Sequence, residues 1–187
     1  MGIDRKESRI AAMGMLAGVV FGIGGSSVTG VTAQAVLYAV SSLGWVSGTA
    51  ILAVALVRAG NVLGGAGFLI LTVAETLLWV SGRPGGSDYV DGFGGGTMFY
   101  VPGLLLLAAS STLGRLQRLS AAASCVVWAV GASQFLSGAG FADTDRLAIA
   151  GYVTISAFFV AVAVPLLRPQ MASGAARADH SVIGAAG

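Results

Sequence analysis

Apolar residues run in six long stretches, at about 10–28, 33–57, 61–81, 97–113, 119–138 and 147–167, separated by short polar breaks. Each is close to the roughly 20 residues that a helix needs to cross a bilayer. The pattern predicts an all-α polytopic bundle of about six transmembrane helices. Gly30 and Thr32 mark the first break, Arg58 to Gly60 the second, Arg115 and Arg118 the fourth, and Asp143, Asp145 and Arg146 the fifth. The third is the longest, Gly82 to Gly96, with Arg83, Pro84, Asp88 and Asp91. Pro102 and Pro165 fall inside the fourth and sixth stretches, where each withdraws a backbone donor and predicts a kink.

Charge orients the bundle. With the N-terminus inside, the cytoplasmic segments hold Arg5, Lys6, Arg9, Arg58, Arg115, Arg118, Arg168 and Arg177, and the outer loops hold only Arg83 and Arg146. Basic residues gather on the cytoplasmic side of membrane proteins, so the partition predicts an N-in, C-in chain. Asp88, Asp91, Asp143 and Asp145 fall on the outer side. The expected organisation is a cytoplasmic N-terminus at 1–9, one transmembrane domain at 10–167 and a disordered cytoplasmic tail at 168–187. A cleaved leader ending at Ala33-Gln34-Ala35 is the rival reading of the first stretch. Sliding the chain by 56 residues pairs Leu63 with Leu119, Ser81 with Ser137 and Gly82 with Gly138, a faint hairpin repeat.

Composition supports lipid as the solvent. The 187 residues are 56% apolar and 10% charged, whereas a soluble domain needs roughly a quarter of its residues charged. Mean hydropathy is +0.86. The net charge of +2 is too small and too dispersed to indicate a nucleic-acid partner. Cys125 is the only cysteine and His180 the only histidine. Intramolecular disulfides, Cys/His metal sites and Ser–His or Cys–His catalytic pairs are therefore excluded. No cofactor or bound metal is expected. The stretch Gly85 to Gly96 matches neither the phosphate-binding loop nor the dinucleotide fingerprint; it is expected to be a flexible outer loop with Phe93 as a lid. The Ala/Gly/Val/Leu-rich texture suggests a bacterial source and a plasma-membrane location.

Glu75 is the sharpest chemical feature. It sits in Thr72-Val73-Ala74-Glu75-Thr76-Leu77-Leu78-Trp79 with no basic residue within a helical turn. A carboxylate at membrane depth costs about 2.5–3.5 kcal/mol on insertion scales, so it is expected to face a cavity, a partner or the bundle interior. Gln134 lies at a matching depth, within about 3 Å at 1.5 Å rise per residue. Gln34, Tyr38, Tyr100 and Tyr152 also fall in the outer parts of their stretches. Together they outline a candidate ligand or proton site open to the outside. Against that stand interhelical glue for Glu75 and interfacial anchoring for the tyrosines.

Glycine, present 29 times, marks where helices approach closely. Gly14, Gly18 and Gly22 form a ladder on the first helix; Gly44 with Gly48, and Gly60 with Gly64, repeat the spacing. Packing within the chain is the plain reading, and a homo-oligomer or membrane partner is the alternative. Three functions fit: a small transporter or ligand-binding bundle around Glu75, a non-catalytic subunit of a larger complex, and a membrane enzyme using Glu75 as general acid on an isoprenoid-like substrate. The last is the least expected, because catalysis wants a second positioned group.

Overall fold

The computed structural model describes residues 4–81, 89–137 and 141–168. They form six helices: α1 (Arg5–Ser27), α2 (Val31–Arg58), α3 (Val62–Ser81), α4 (Tyr89–Ala109), α5 (Arg115–Leu136) and α6 (Phe141–Leu167). No strand occurs among the described residues. The chain is an all-α helical membrane bundle. Five helices are long and apolar enough to span a bilayer; the apolar part of α4, Gly94–Ala109, is shorter. All 21 residues of α4 nonetheless make a rod of about 31 Å at 1.5 Å per residue, close to the roughly 30 Å hydrocarbon thickness. The proposed tail after Arg168, with Arg177 and His180, lies outside the described residues, as do Gly82 and Gly138 of the hairpin repeat.

Each helix packs on its neighbours in sequence, and α6 returns to α1, so the six close into a ring. Rings of Trp45, Phe68, Tyr100, Trp128, Phe158 and Phe159 fill the interior. Val20, Leu43, Val54, Leu69, Leu105, Val126 and Val153 stay exposed on the outside. An apolar exterior is the arrangement lipid demands, and the helix is the open-ended element that satisfies its own backbone there.

The ends of the helices depart from the sequence reading for local reasons. Asp4 accepts from the Lys6 amide at 3.1 Å, capping α1 five residues earlier than the apolar run implies. Gly60 is not part of a packing ladder: at φ 78° it ends α2 in the left-handed conformation. Asn61 then caps α3, its Oδ1 accepting from the Gly64 amide at 3.1 Å. Gln117 caps α5, taking the Gly114 amide at 2.7 Å and starting the helix at Arg115 rather than near 119.

The expected loop at Gly85–Gly96 is corrected in its second half, because residues 89–96 belong to α4. These glycines serve contact rather than flexibility. A Cβ on Gly94 would sit 2.8 Å from the Phe135 ring of α5, and one on Gly96 would sit 2.8 Å from the Leu78 side chain of α3. Further along the same α3–α4 seam, a Cβ on Gly67 would lie 2.9 Å from the Gly103 carbonyl. Residues 82–88 lie outside the described residues, and nothing is assigned to the Phe93 side chain. The fifth break is likewise shorter than expected, with Asp143, Asp145 and Arg146 in the first turns of α6.

The α1–α2 seam uses the glycine ladder within the chain. A Cβ on Gly44 would fall 2.6 Å from the Gly14 carbonyl oxygen, and one on Gly48 would fall 2.7 Å from that of Ala11. Gly18 admits the Trp45 ring, and Gly22 faces Ser41. Ser41 Oγ donates to the Gly18 carbonyl at 2.6 Å and Trp45 Nε1 to that of Met15 at 3.2 Å. The face formed by Gly14, Gly18, Gly22, Gly44 and Gly48 is thus used for packing within the chain.

At the end of the ring carrying the N-terminus, Arg5, Lys6, Arg9, Arg58, Arg115, Arg118 and Arg168 stand against Asp4 and Glu7. Only Arg58 and Glu7 form an ion pair among the described residues, at 3.0 Å. Pro165 withdraws the donor that would meet the Ala161 carbonyl, and Gln117 Nε2 of α5 supplies one from across the gap at 3.1 Å.

Gly44→Ala should lower stability by about 1–3 kcal/mol through overpacking, read as an earlier unfolding midpoint in SDS-containing mixed micelles. Gly131→Ala, with nothing within 4 Å of the new Cβ, should leave the midpoint unchanged or raise it. Equal effects would contradict the seam.

Candidate functional site

The α3–α4 seam determines where Glu75 can go. Glu75 is the fourteenth residue of α3 and projects into the interior, where it is 2% exposed. Its hydrogen-bond partner is the hydroxyl of Tyr100 on α4, which donates to Glu75 Oε1. Tyr100 is fully buried. No basic side chain pairs with Glu75 among the described residues. One turn earlier, Thr72 shares a hydroxyl–hydroxyl bond of 2.9 Å with Thr49 of α2.

Tyr100 is also the first ring of an aromatic column. Its ring lies on Trp128 of α5, centroids 4.7 Å apart and planes 16° apart. Trp128 meets Tyr152 of α6 edge-on at 5.9 Å, and Tyr152 stacks on Trp45 of α2 at 6.2 Å. Gly151 makes room for this arrangement, since a Cβ there would come within 2.7 Å of the Trp128 ring. Tyr152 is 37% exposed, so the column runs from the sealed carboxyl to the outside of the ring. Trp128 Nε1 is buried and has no hydrogen-bond partner among the described residues, which leaves one donor unspent beside the Tyr100 ring.

Glu75, Tyr100 and Tyr152 are therefore brought into one connected cluster. The longer α4 and α6 place both tyrosines twelfth in their helices; Tyr100 lies mid-way along the apolar part of α4, Gly94–Ala109, whereas Tyr152 is within a turn of the start of the apolar part of α6, Ile149–Leu167. The other residues expected at the site stand apart. Gln134 is in the last turns of α5; among the described residues its buried Oε1 has no partner and no bond joins it to Glu75. Gln34 is in the first turn of α2, and the Tyr38 ring lies over Gly25 of α1. Neither hydrogen-bonds Glu75 among the described residues.

An outward-open pocket around Glu75 is also not what the structure shows, because the carboxyl is sealed. The described cavity, of about 480 Å³, lies at the opposite, basic end of the bundle. Trp45 and Trp128 were missed as site residues. The available signal was position: both tryptophans lie mid-stretch, whereas membrane tryptophans usually gather at the interfaces. No group of three or more metal-ligating side chains is found among the described residues.

The fold and candidate site together define a class: a small polytopic helical bundle with an interior carboxyl, Glu75, set against a tyrosine. Comparison with protein-family models, with curated proteins and with solved structures finds no match.

Tyr100→Phe removes the one hydrogen-bond partner that Glu75 has among the described residues and should cost about 1–3 kcal/mol, the penalty of orphaning a buried polar group. Tyr38→Phe should stay within about 0.5 kcal/mol, as most surface substitutions do. Unfolding in mixed micelles separates the two.

Proposed function

We propose that the chain is a small membrane transporter in which Glu75 holds a mobile positive partner, a proton or a cation, next to the Tyr100–Trp128–Tyr152 column. The observation that carries the reading is a carboxyl inside the bundle with a neutral hydroxyl as its partner and no basic side chain paired with it among the described residues. Intramembrane acids of this kind mark ion and proton pathways. The aromatic faces suit a cation that has shed its water, and Pro102, two residues beyond Tyr100, gives α4 a hinge at the same level. In this reading the structure is the occluded arrangement, and access to Glu75 requires α4 to move away from α3. The setting is the plasma membrane, N-terminus inside.

The sealing of Glu75 favours a second reading, in which the Glu75–Tyr100 bond is structural glue in a non-catalytic subunit. An enzymatic role has less support, since Tyr100 is the one polar side chain bonded to the carboxyl among the described residues.

Reconstituted vesicles holding a pH-sensitive dye distinguish the two. Wild-type protein should dissipate a proton gradient or admit tetraphenylphosphonium, and Glu75→Gln should abolish both while remaining helical and monodisperse. Wild-type flux in Glu75→Gln vesicles overturns the transport reading and leaves the subunit.

A further inference from the structure

The basic end of the ring holds a feature that the Glu75 site does not use. A cavity of about 480 Å³ opens between the α1–α2 and α5–α6 pairs, in the size range of pockets that hold small ligands. Leu52 and Leu56 of α2 form one wall, and Val162 and Leu166 of α6 form the other. Three polar side chains meet at its rim: Ser8, Arg115 and Gln117. Gln117 is already committed, accepting from the Gly114 amide and donating to the Ala161 carbonyl. Arg115 is not. The neighbouring Arg58 pairs with Glu7, and Arg118 Nε donates to the Ala108 carbonyl at 2.8 Å. The Arg115 side chain makes no ion pair or hydrogen bond among the described residues.

The site thus offers a largely apolar cavity beside an uncommitted guanidinium, at the end where basic side chains outnumber acidic ones. Guanidinium forks match phosphate oxygens. A free anion has no use for the leucine and valine walls, and a neutral lipid has no use for the charge. We infer that this cavity is a binding site for one anionic phospholipid of the surrounding membrane. Its phosphate sits at Arg115 within reach of Ser8, and an acyl chain lies between α2 and α6. The gap persists because Gln117 bonds the Ala161 carbonyl that Pro165 leaves free, bracing α5 against α6 from one side.

Nanodiscs of equal parts phosphatidylglycerol and phosphatidylcholine, followed by gentle release and native mass spectrometry of the full chain, test the site. Wild-type protein should retain one phosphatidylglycerol in excess over phosphatidylcholine. Arg115→Gln should reduce that excess about five-fold, the effect of one basic side chain at an anionic surface, and Arg146→Gln at the other end should leave it unchanged. Val162→Phe, which fills the slot, should lower retention of both lipids. Equal retention of the two lipids by wild-type protein overturns the site, as does an unchanged excess in Arg115→Gln. Wild-type retention by Val162→Phe, or release by inorganic phosphate alone, overturns the acyl slot. Arg115→Gln decides the matter even where Val162→Phe does not fold.

Discussion

Lipid offers no hydrogen bonds, and the bundle is organised around that constraint. Polar groups inside it are bonded mostly to one another: Ser41 to the Gly18 carbonyl, Thr49 to Thr72, Gln117 to the Ala161 carbonyl and Tyr100 to Glu75. None of these side-chain bonds can form unless the helices that carry the partners come close. Glycine makes that approach possible where a Cβ would collide with backbone, as at Gly44 against Gly14 and at Gly67 against Gly103. Hydrophobic burial cannot drive this association, because lipid tails are as apolar as leucine. Close packing and interhelical hydrogen bonds must hold the ring together.

The two glycine seams have different consequences. Along α1–α2 the close approach ends in hydrogen bonds from Ser41 and Trp45 to carbonyls of α1, with the one ion pair of that seam among the described residues, Glu7–Arg58, at its basic end. Along α3–α4 the contact at Gly67 and Gly103 and the contact at Leu78 and Gly96 enclose the level of Glu75 and Tyr100. The carboxyl is thereby excluded from water and lipid and left with one neutral partner. That combination is costly for mere adhesion, which Thr49 and Thr72 achieve one turn away on the α2–α3 seam, and it is the physical reason for reading Glu75 as a site.

The sequence disclosed the parts of this arrangement that depend on hydropathy and charge. Six apolar stretches became six helices, and the basic residues of the first, third and fifth segments share one end of the ring. Helix ends were less legible, because they are decided by single hydrogen bonds: Asp4 to the Lys6 amide, Gln117 to the Gly114 amide. The glycine run before Thr97 carries the chemistry of a loop by composition, yet it is helical because Leu78 and Phe135 fill the space where its Cβ atoms would be. That misreading displaced Tyr100 toward the interface and hid its depth. Glu75 was identifiable from its charge alone. Its partner was not, since nothing local in the sequence aligns position 75 with position 100, and Gln134 offered a matching depth without a matching face.

The Glu75–Tyr100 interaction is the central claim, and a double-mutant cycle measures it directly. Unfolding free energies of the wild-type chain, Glu75→Gln, Tyr100→Phe and the double variant are compared in mixed micelles. A real bond between α3 and α4 predicts a coupling of about 0.6–1.7 kcal/mol, the span found for hydrogen bonds between membrane helices. Strictly additive single effects would contradict it and would remove Tyr100 as the group that holds the carboxyl in place.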